Sequence, residues 1–397
     1  MKILVLSFYY EPDLCAGSFR TTALVNELVQ VMAAGSHIDV VSTLPNRYST
    51  FSTEAASVES RPGVSIKRIA LPQHKSGMVD QTKAFVVFSR QVLQYTASRK
   101  YDIIFATSSR LMTAVLGAWI AHQKKVALYL DIRDIFVDTI KDVLPRRFAV
   151  IARPVFSLLE KYAIRRAGKV NLVSRGFREY FFRRYPQQRF SYYTNGIDEN
   201  FIAASATTSY LPQKNIFPVS VLYAGNIGEG QGLHAILPDL AKRMRGRVRF
   251  IIIGDGGRKE ALRLELDRNS IDNVELLEPI NRERLIDAYI DADVLFLHLH
   301  DYDAFKKVLP SKIFEYAAMG KPIWAGVAGY AAEFMHTEID NSVVFHPCDA
   351  VDAERVFSDL SLQSLPREKF VTQYARRKIM KEMALDILLY AKGSEST

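Results

Sequence analysis

The chain has almost no cysteine: Cys15 and Cys348 are the only two among 397 residues, and they stand in opposite halves. That excludes a disulfide framework and a multi-cysteine metal site, and it suits a reducing compartment. There is no run of about 20 uninterrupted apolar residues, so no bilayer-spanning helix is expected. The eight histidines offer no set with metal-ligand spacing. His298 and His300 alternate along one expected strand but lack a third partner, so they read as packing or pocket-lining residues, and no metal is expected. A Walker-type Gly-Lys-Ser/Thr loop is absent. So is a GxGxxG turn near the first strand with an acid closing the second, which argues against a nicotinamide-dependent enzyme. No known nucleic-acid recognition motif accompanies the net charge of +9, so nucleic acid is not the expected partner.

The length suits two domains. Apolar residues make up 48% and charged residues 24%, near globular averages. The opening MKILVLSFYY reads as a core strand rather than a leader, because acidic residues follow at once and no small-residue cleavage site does. Short β-branched or apolar runs then alternate with helical-period segments as far as RFSYYTNGID, the pattern of an α/β fold built on a parallel sheet. The stretch ENFIAASATTSYLPQKNIFP has no apolar period and reads as a linker. The alternation restarts at VSVLYAGNIG and continues to VVFHP, and EKFVTQYARRKIMKEMALDILLY predicts a terminal helix. The expected domains are 1–198, 199–370 and a terminal helix with its tail, 371–397.

Open parallel sheets take ligands beyond the carboxyl ends of their strands. After the first strand comes EPDLCAGSFR, with Gly17 placed before a helix predicted over Thr21–Ala34; it reads either as a phosphate approach or as a plain strand-to-helix turn. In GNIGEGQGL, the glycines 225, 228, 230 and 232 open the helix expected near Leu233 and read as a diphosphate loop. GDGG, Gly254–Gly257, is a second glycine cluster, either a tight turn or part of a nucleotide floor. In LPSKIFEYAAMGKPI, Pro310 suits a helix start, with Ser311 and Lys312 at its N-terminus. Glu315 lies three residues from Lys312, on the same face. Its carboxylate could accept from a ribose diol while Lys312 meets phosphate; a surface ion pair is the competing reading.

PSKIFEYAAMGKPI resembles the signature of family 4 glycosyltransferases, the retaining group of GT-B fold, and especially its bacterial surface-polysaccharide and lipopolysaccharide members. TNGID at 194–198, GNIG, GDGG and EPDLCAGSFR resemble further segments of the same family, in the same order over nearly the whole chain. The resemblance implies two Rossmann-like domains facing across a cleft, the first for acceptor and the second for nucleotide-sugar, with the C-terminal helix crossing back to the first. It implies that Glu315 binds the donor ribose and Lys312 the diphosphate. The loop of Gly225, Asn226 and Gly228 would give amides to the phosphates, and Gly254, Asp255 and Gly256 would form the adjoining turn. Gly17 would approach the donor from the other domain, Leu309 and Ser311 would bring backbone N–H groups near sugar and phosphate, and the stretch 278–280 would lie beside the base. The chain departs from the family at Lys307, where many members have a first glutamate, and at Asn226 and Gln231, where others have a basic pair. Where the family often has His-Asp, DIRDIF offers Arg133 and Asp134, which makes Asp134 a candidate catalytic group. The expected activity is metal-independent, retaining transfer from a nucleotide-sugar, UDP-linked by family habit, to a lipid-linked or saccharide acceptor. The donor is a substrate and no cofactor is expected.

From Arg146 to Arg189 twelve Lys or Arg face only Glu160 and Glu179, an excess that accounts for the whole charge imbalance. Nine aromatics are interleaved through 146–190. The composition suits an amphipathic element at an anionic headgroup layer, which would place the protein in the cytoplasm, peripheral on the inner face of the cell membrane. Two core-packing helices with a solvated basic side are the alternative. For the whole chain, a nucleotide-sugar epimerase of the same shape, or a non-catalytic nucleotide- or RNA-binding protein on this fold, are the competing readings.

Overall fold

The computed structural model describes residues 1–45, 55–72, 78–108, 110–138, 146–207 and 218–394. The chain forms two compact units, Met1–Asn195 with Arg376–Thr397, and Gly196–Ala375.

The strands of the first unit are β1 (Lys2–Leu6), β2 (His37–Thr43), β3 (Val58–Arg61), β4 (Val64–Ile69), β5 (Ile103–Thr107), β6 (Ala127–Ile132), β7 (Lys169–Leu172) and β8 (Phe190–Ser191). They lie in the order β3-β4-β2-β1-β5-β6-β7-β8. The central strands are buried end to end, Ile3–Leu6 and Ile103–Ala106 among them, as a sheet covered on both faces requires. The alternation read as purely parallel has one exception: β3 pairs antiparallel with β4 at the edge. Pro62 and Gly63 make that reversal, with Gly63 at φ +76° supplying the left-handed turn position.

The helices of this unit that precede the second are α1 (Ala16–Val31), α2 (Met78–Thr96), α3 (Leu111–Lys124), α4 (Arg146–Arg166) and α5 (Arg178–Arg184). Helix α1 starts five residues before the predicted Thr21, so Gly17 is inside its first turn rather than ahead of it. That turn is fixed by buried polar contacts that no apolar period reveals: Thr21 Oγ1 donates to the Gly17 carbonyl at 2.9 Å, and Arg20 is fully buried against Asp131.

The second unit has β9 (Val219–Asn226), β10 (Val248–Asp255), β11 (Val274–Leu277), β12 (Val294–His298), β13 (Ile323–Gly326) and β14 (Ser342–Phe345), in the order β11-β10-β9-β12-β13-β14. All these pairings are parallel. The winding reverses between β9 and β12, which makes their carboxyl ends a switch point and a place for a ligand. Its helices are α6 (Glu199–Thr207), α7 (Leu233–Arg243), α8 (Lys259–Arg268), α9 (Arg282–Asp291), α10 (Lys312–Ala318), α11 (Tyr330–Glu338), α12 (Ala350–Phe357) and α13 (Glu368–Tyr374). The expected linker is in part helix: α6 buries Phe201 against the core of this unit and packs Ile202 and Ala204 beside it. Its remaining positions are small or polar, which hid the period. Residues 208–217 of that stretch lie outside the described residues.

The predicted terminal helix is two helices, broken at Ala375, where ψ is 122° and the chain pairs with Ile197. After the break α14 (Arg376–Ser394) rejoins the first unit. Met380, Met383, Ala384 and Ile387 form its fully buried stripe.

Candidate functional site

Lys312 opens α10 and Glu315 follows one turn later. Lys312 Nζ is 3.1 Å from Glu315 Oε2 and donates to Tyr289 Oη at 3.1 Å, while that hydroxyl donates to the same carboxylate oxygen at 3.3 Å. Glu315 is only 7% exposed and the Lys312 side chain 24%. The pair is therefore no solvated surface contact, and its charges interact more strongly than they would in water. Burial opposes the Lys312 ammonium, but the Glu315 carboxylate outweighs it and holds the lysine above its ordinary pKa. Burial, and then Glu315, push the Tyr289 hydroxyl well up, so it stays a donor.

Tyr289 comes from α9. Its ring stacks on Phe201 of α6, with centroids 5.8 Å apart, and meets Tyr316 edge-on at 5.3 Å. The helix hidden inside the apparent linker thus props the tyrosine that holds the ion pair.

The glycine-rich strand ends are in register, Gly225 opposite Gly254 and Asn226 opposite Asp255. A Cβ on Gly254 would fall 1.9 Å from the Gly225 carbonyl oxygen, so the two backbones touch there. A Cβ on Gly225 would lie 3.2 Å from Lys312 Cε; the missing side chain makes room for the lysine stem over the end of β9. Beyond it, Asn226 Nδ2 donates to Gln231 Oε1 at 2.7 Å and the Gly228 N–H to the same oxygen at 3.3 Å. Gly256 N–H donates to Asp255 Oδ1 at 2.8 Å, closing the second turn. Leu309 is buried in the core below α10, and half-buried Ser311 occupies the cap position without a side-chain capping bond. Lys306 is held by Asp303 at 3.1 Å and Asp301 at 3.6 Å. Lys259 is buried on α8 and reaches exposed Glu278, beyond β11, at 2.7 Å.

The two histidines have separate roles. His298 ends β12 fully buried; its Nδ1 meets the Gln231 carbonyl at 2.7 Å and its Nε2 accepts from the Cys348 N–H at 2.9 Å, which fixes a neutral tautomer. Burial pushes its pKa down to about 4. His300 lies past the strand and stacks on Tyr302, with centroids 4.0 Å apart.

Gly17 and Asp134 belong to the first unit. A Cβ on Gly17 would lie 3.3 Å from Arg133 Nη1. Asp134 follows β6 and is exposed. Its crowded surroundings push the carboxyl up to about 6 against the pull of Arg133. Contact with water works the other way, and on either count it is a carboxylate at neutral pH. Asp131 is a structural anchor: both its oxygens accept from Arg20 at 2.9 Å, and one also from Asn171 at 2.8 Å.

In the basic segment several rings turn inward. Phe177, Phe181 and Tyr185 are buried, and Tyr180 and Tyr185 donate to buried Glu160. Exposed instead are Val155, Leu158 and Tyr162, at helical spacing on α4, and Phe182 on α5, among exposed Arg153, Lys161, Arg165, Arg178 and Arg183. The side chains of 146–151 lie outside the description.

Tyr289 escapes a sequence reading because it sits in an ordinary helical context, and Gln231, noted in the sequence only as a departure from a basic pair, proves to organise the glycine loop through its side chain. The signal for Tyr289 is that a tyrosine facing the core in YIDA must place its hydroxyl on some buried partner.

Residues 19–196 match the description of the glycosyl transferase 4-like domain, and residues 218–359 that of the glycosyl transferases group 1. WcaI of Escherichia coli, which carries the provisional name colanic acid biosynthesis glycosyl transferase, is 30% identical over 173 residues. That match takes in 42% of this chain and 40% of WcaI. Among solved structures, sucrose-phosphate synthase from Thermosynechococcus elongatus superposes with a TM-score of 0.70 at 16% identity, covering 100% of both chains. HepE of Anabaena, solved in complex with UDP, superposes at 0.62 with 15% identity over 98% of this chain and 99% of its own. Two glycosyltransferase descriptions, matched in this order over most of a chain that folds into two such parallel-sheet units, establish that it belongs to the family 4 glycosyltransferases of GT-B fold.

Proposed function

We propose that this protein transfers a sugar, with retention of configuration and without a metal, from a UDP-sugar to a lipid-linked or saccharide acceptor of bacterial surface-polysaccharide synthesis. The observation that carries the reading is the buried Lys312–Glu315–Tyr289 set beside the glycine ends of β9 and β10. Breaking the anomeric C–O bond puts negative charge on the departing diphosphate, and a cation held at that point favours the transition state over the ground state. Lys312 stays protonated through the neutral range because Glu315 raises its pKa. Glu315 Oε1 and Oε2 offer acceptors to a ribose diol, and Tyr289 keeps the carboxylate oriented when the lysine turns to phosphate. The Gly228 N–H and Asn226 Nδ2, now on Gln231 Oε1, are the neutral donors a phosphate oxygen would take over. Asp134, a carboxylate at neutral pH, is the candidate group for the acceptor side.

UDP rests on the family resemblance and is supported by the UDP found in HepE. The similarity to WcaI supports the polysaccharide setting. The exposed stripe of Val155, Leu158 and Tyr162 among arginines supports docking on an anionic inner leaflet. No helix among the described residues is long and apolar enough to cross a membrane.

The test is transfer of labelled sugar from a panel of UDP-sugars to bacterial lipid extract or oligosaccharide in the presence of a chelator, with the anomeric configuration of the product read by NMR. Transfer with retention is expected. Failure with every donor and acceptor counts against the reading.

A further inference from the structure

The carboxyl edge of the first unit's sheet carries cations that the donor chemistry above does not use. Strands β5, β6 and β7 are consecutive neighbours, and each is followed within three residues by an arginine: Arg110, Arg133 and Arg175. The edge is knit together by Ser108 N–H to the Asp131 carbonyl at 2.8 Å, Arg133 N–H to Ser108 Oγ at 3.1 Å, and Val173 N–H to the Ile132 carbonyl at 3.1 Å. Adjacent strands lie about 4.8 Å apart, so the three backbones share roughly 10 Å of one crest.

Each guanidinium is positioned by neutral groups. Arg110 lies over the Phe8 ring at 4.1 Å and donates to Tyr9 Oη at 3.4 Å. Arg133 Nη1 donates to the Ala16 carbonyl at 3.3 Å, beside Gly17. Arg175 lies over Tyr192 at 5.3 Å. Among the described residues none of the three is within ion-pair distance of a carboxylate, whereas buried Arg20 on the same edge is matched to Asp131. Glu11 is committed to Arg61. Arg175 is exposed and Arg110 and Arg133 are half-buried, with exposed Asp134 next in the chain to Arg133. Half-buried Arg133 is the unusual member, a cation partly removed from water that Asp131 and Asp134 attract only from beyond ion-pair distance.

We propose that this arginine crest is the site for a phosphate or diphosphate group on the acceptor. Arginine forks bind phosphate oxygens in pairs, and the carboxyl end of a parallel sheet is where open α/β units take ligands. The crest takes the same chemistry whether the phosphate joins a prenyl carrier or sits on a sugar. The inference rests on the glycosyltransferase reading, in which an acceptor binds apart from the donor.

The experiment is calorimetry of inorganic pyrophosphate titrated into protein saturated with UDP, so that the donor site is filled. One equivalent should bind the wild type. Arg133→Gln and Arg175→Gln should each weaken it tenfold or more, and Arg133→Lys should do so less than Arg133→Gln. Arg175 is exposed, so its variant should keep the wild-type unfolding midpoint and UDP affinity. Parallel titrations with farnesyl diphosphate and glucose 1-phosphate distinguish the sources: tighter binding of the first assigns a prenyl carrier, and of the second a phosphorylated saccharide. No binding of any of the three to UDP-saturated protein, or equal binding to wild type and both glutamine variants, would overturn the proposal. Absence of UDP binding itself would count against the donor reading instead. The same pyrophosphate titration on Lys312→Ala protein then reads the crest alone, with the same outcomes deciding it.

Discussion

Replacing Lys312 with methionine keeps a helix-compatible stem and removes the ammonium from a carboxylate that is 7% exposed. Breaking a fully buried pair costs about 3–5 kcal/mol because one charge is stranded. Here the lysine side chain is 24% exposed and Tyr289 Oη still donates to the carboxylate, so a loss of about 2–3 kcal/mol is expected. Glu315→Gln alone strands the ammonium nearer to solvent and should cost less, about 1–2 kcal/mol. With both changes neither charge is stranded, and the loss should fall short of the sum by about 1–2 kcal/mol. The chain has two tryptophans, Trp119 in the first unit and buried Trp324 in the second. Urea unfolding of Trp119→Phe protein, followed by Trp324 emission, therefore reports on the unit that holds the pair. Additivity within about 0.5 kcal/mol would refute the buried ion pair as the organising contact of the site.

Gly254→Ala puts a Cβ 1.9 Å from a backbone oxygen and should destabilise the second unit by about 2 kcal/mol or more, with weakened UDP binding. Gly257→Ala, with nothing within 4 Å of its Cβ, should stay within about 0.5 kcal/mol in the same denaturation and calorimetry series. His298 is neutral in the fold, with its pKa near 4 against 6.5 when unfolded. Its stabilisation is complete above pH 6.5 and declines as pH falls toward 4, by up to about 3 kcal/mol, because only the unfolded chain takes up the proton. Unfolding measured across that range should steepen in the wild type relative to His298→Gln. Sedimentation with vesicles rich in phosphatidylglycerol should retain the wild type and lose Leu158→Glu; neutral vesicles should retain neither.

The α/β alternation was legible because buried parallel strands are continuous apolar runs, and α7 begins at Leu233, where the glycine loop was expected to open a helix. The pairing of Lys312 with Glu315 was legible from helical spacing alone, but its burial was not, since that depends on Tyr289 and on α6. Helix α6 was hidden because Phe201, with Ile202 and Ala204 beside it, carries its packing while small or polar residues fill the rest. The start of α1 was hidden for a related reason: buried hydrogen bonds of Thr21 and Arg20, not apolar residues, fix its first turn. The interleaved aromatics looked like an interfacial belt, yet Phe177, Phe181 and Tyr185 are core. Only exposure separates them from Tyr162 and Phe182, and composition does not encode exposure.

The central claim is that the Lys312–Glu315 set binds a nucleoside diphosphate. It is tested most directly by calorimetry of UDP, with GDP and ADP as comparators, on wild type, Lys312→Ala and Glu315→Ala without added metal. The account predicts UDP binding to the wild type and a loss of tenfold or more in each variant, about 1.4 kcal/mol or above. Absence of nucleotide binding, or variants that bind UDP as the wild type does, would contradict it.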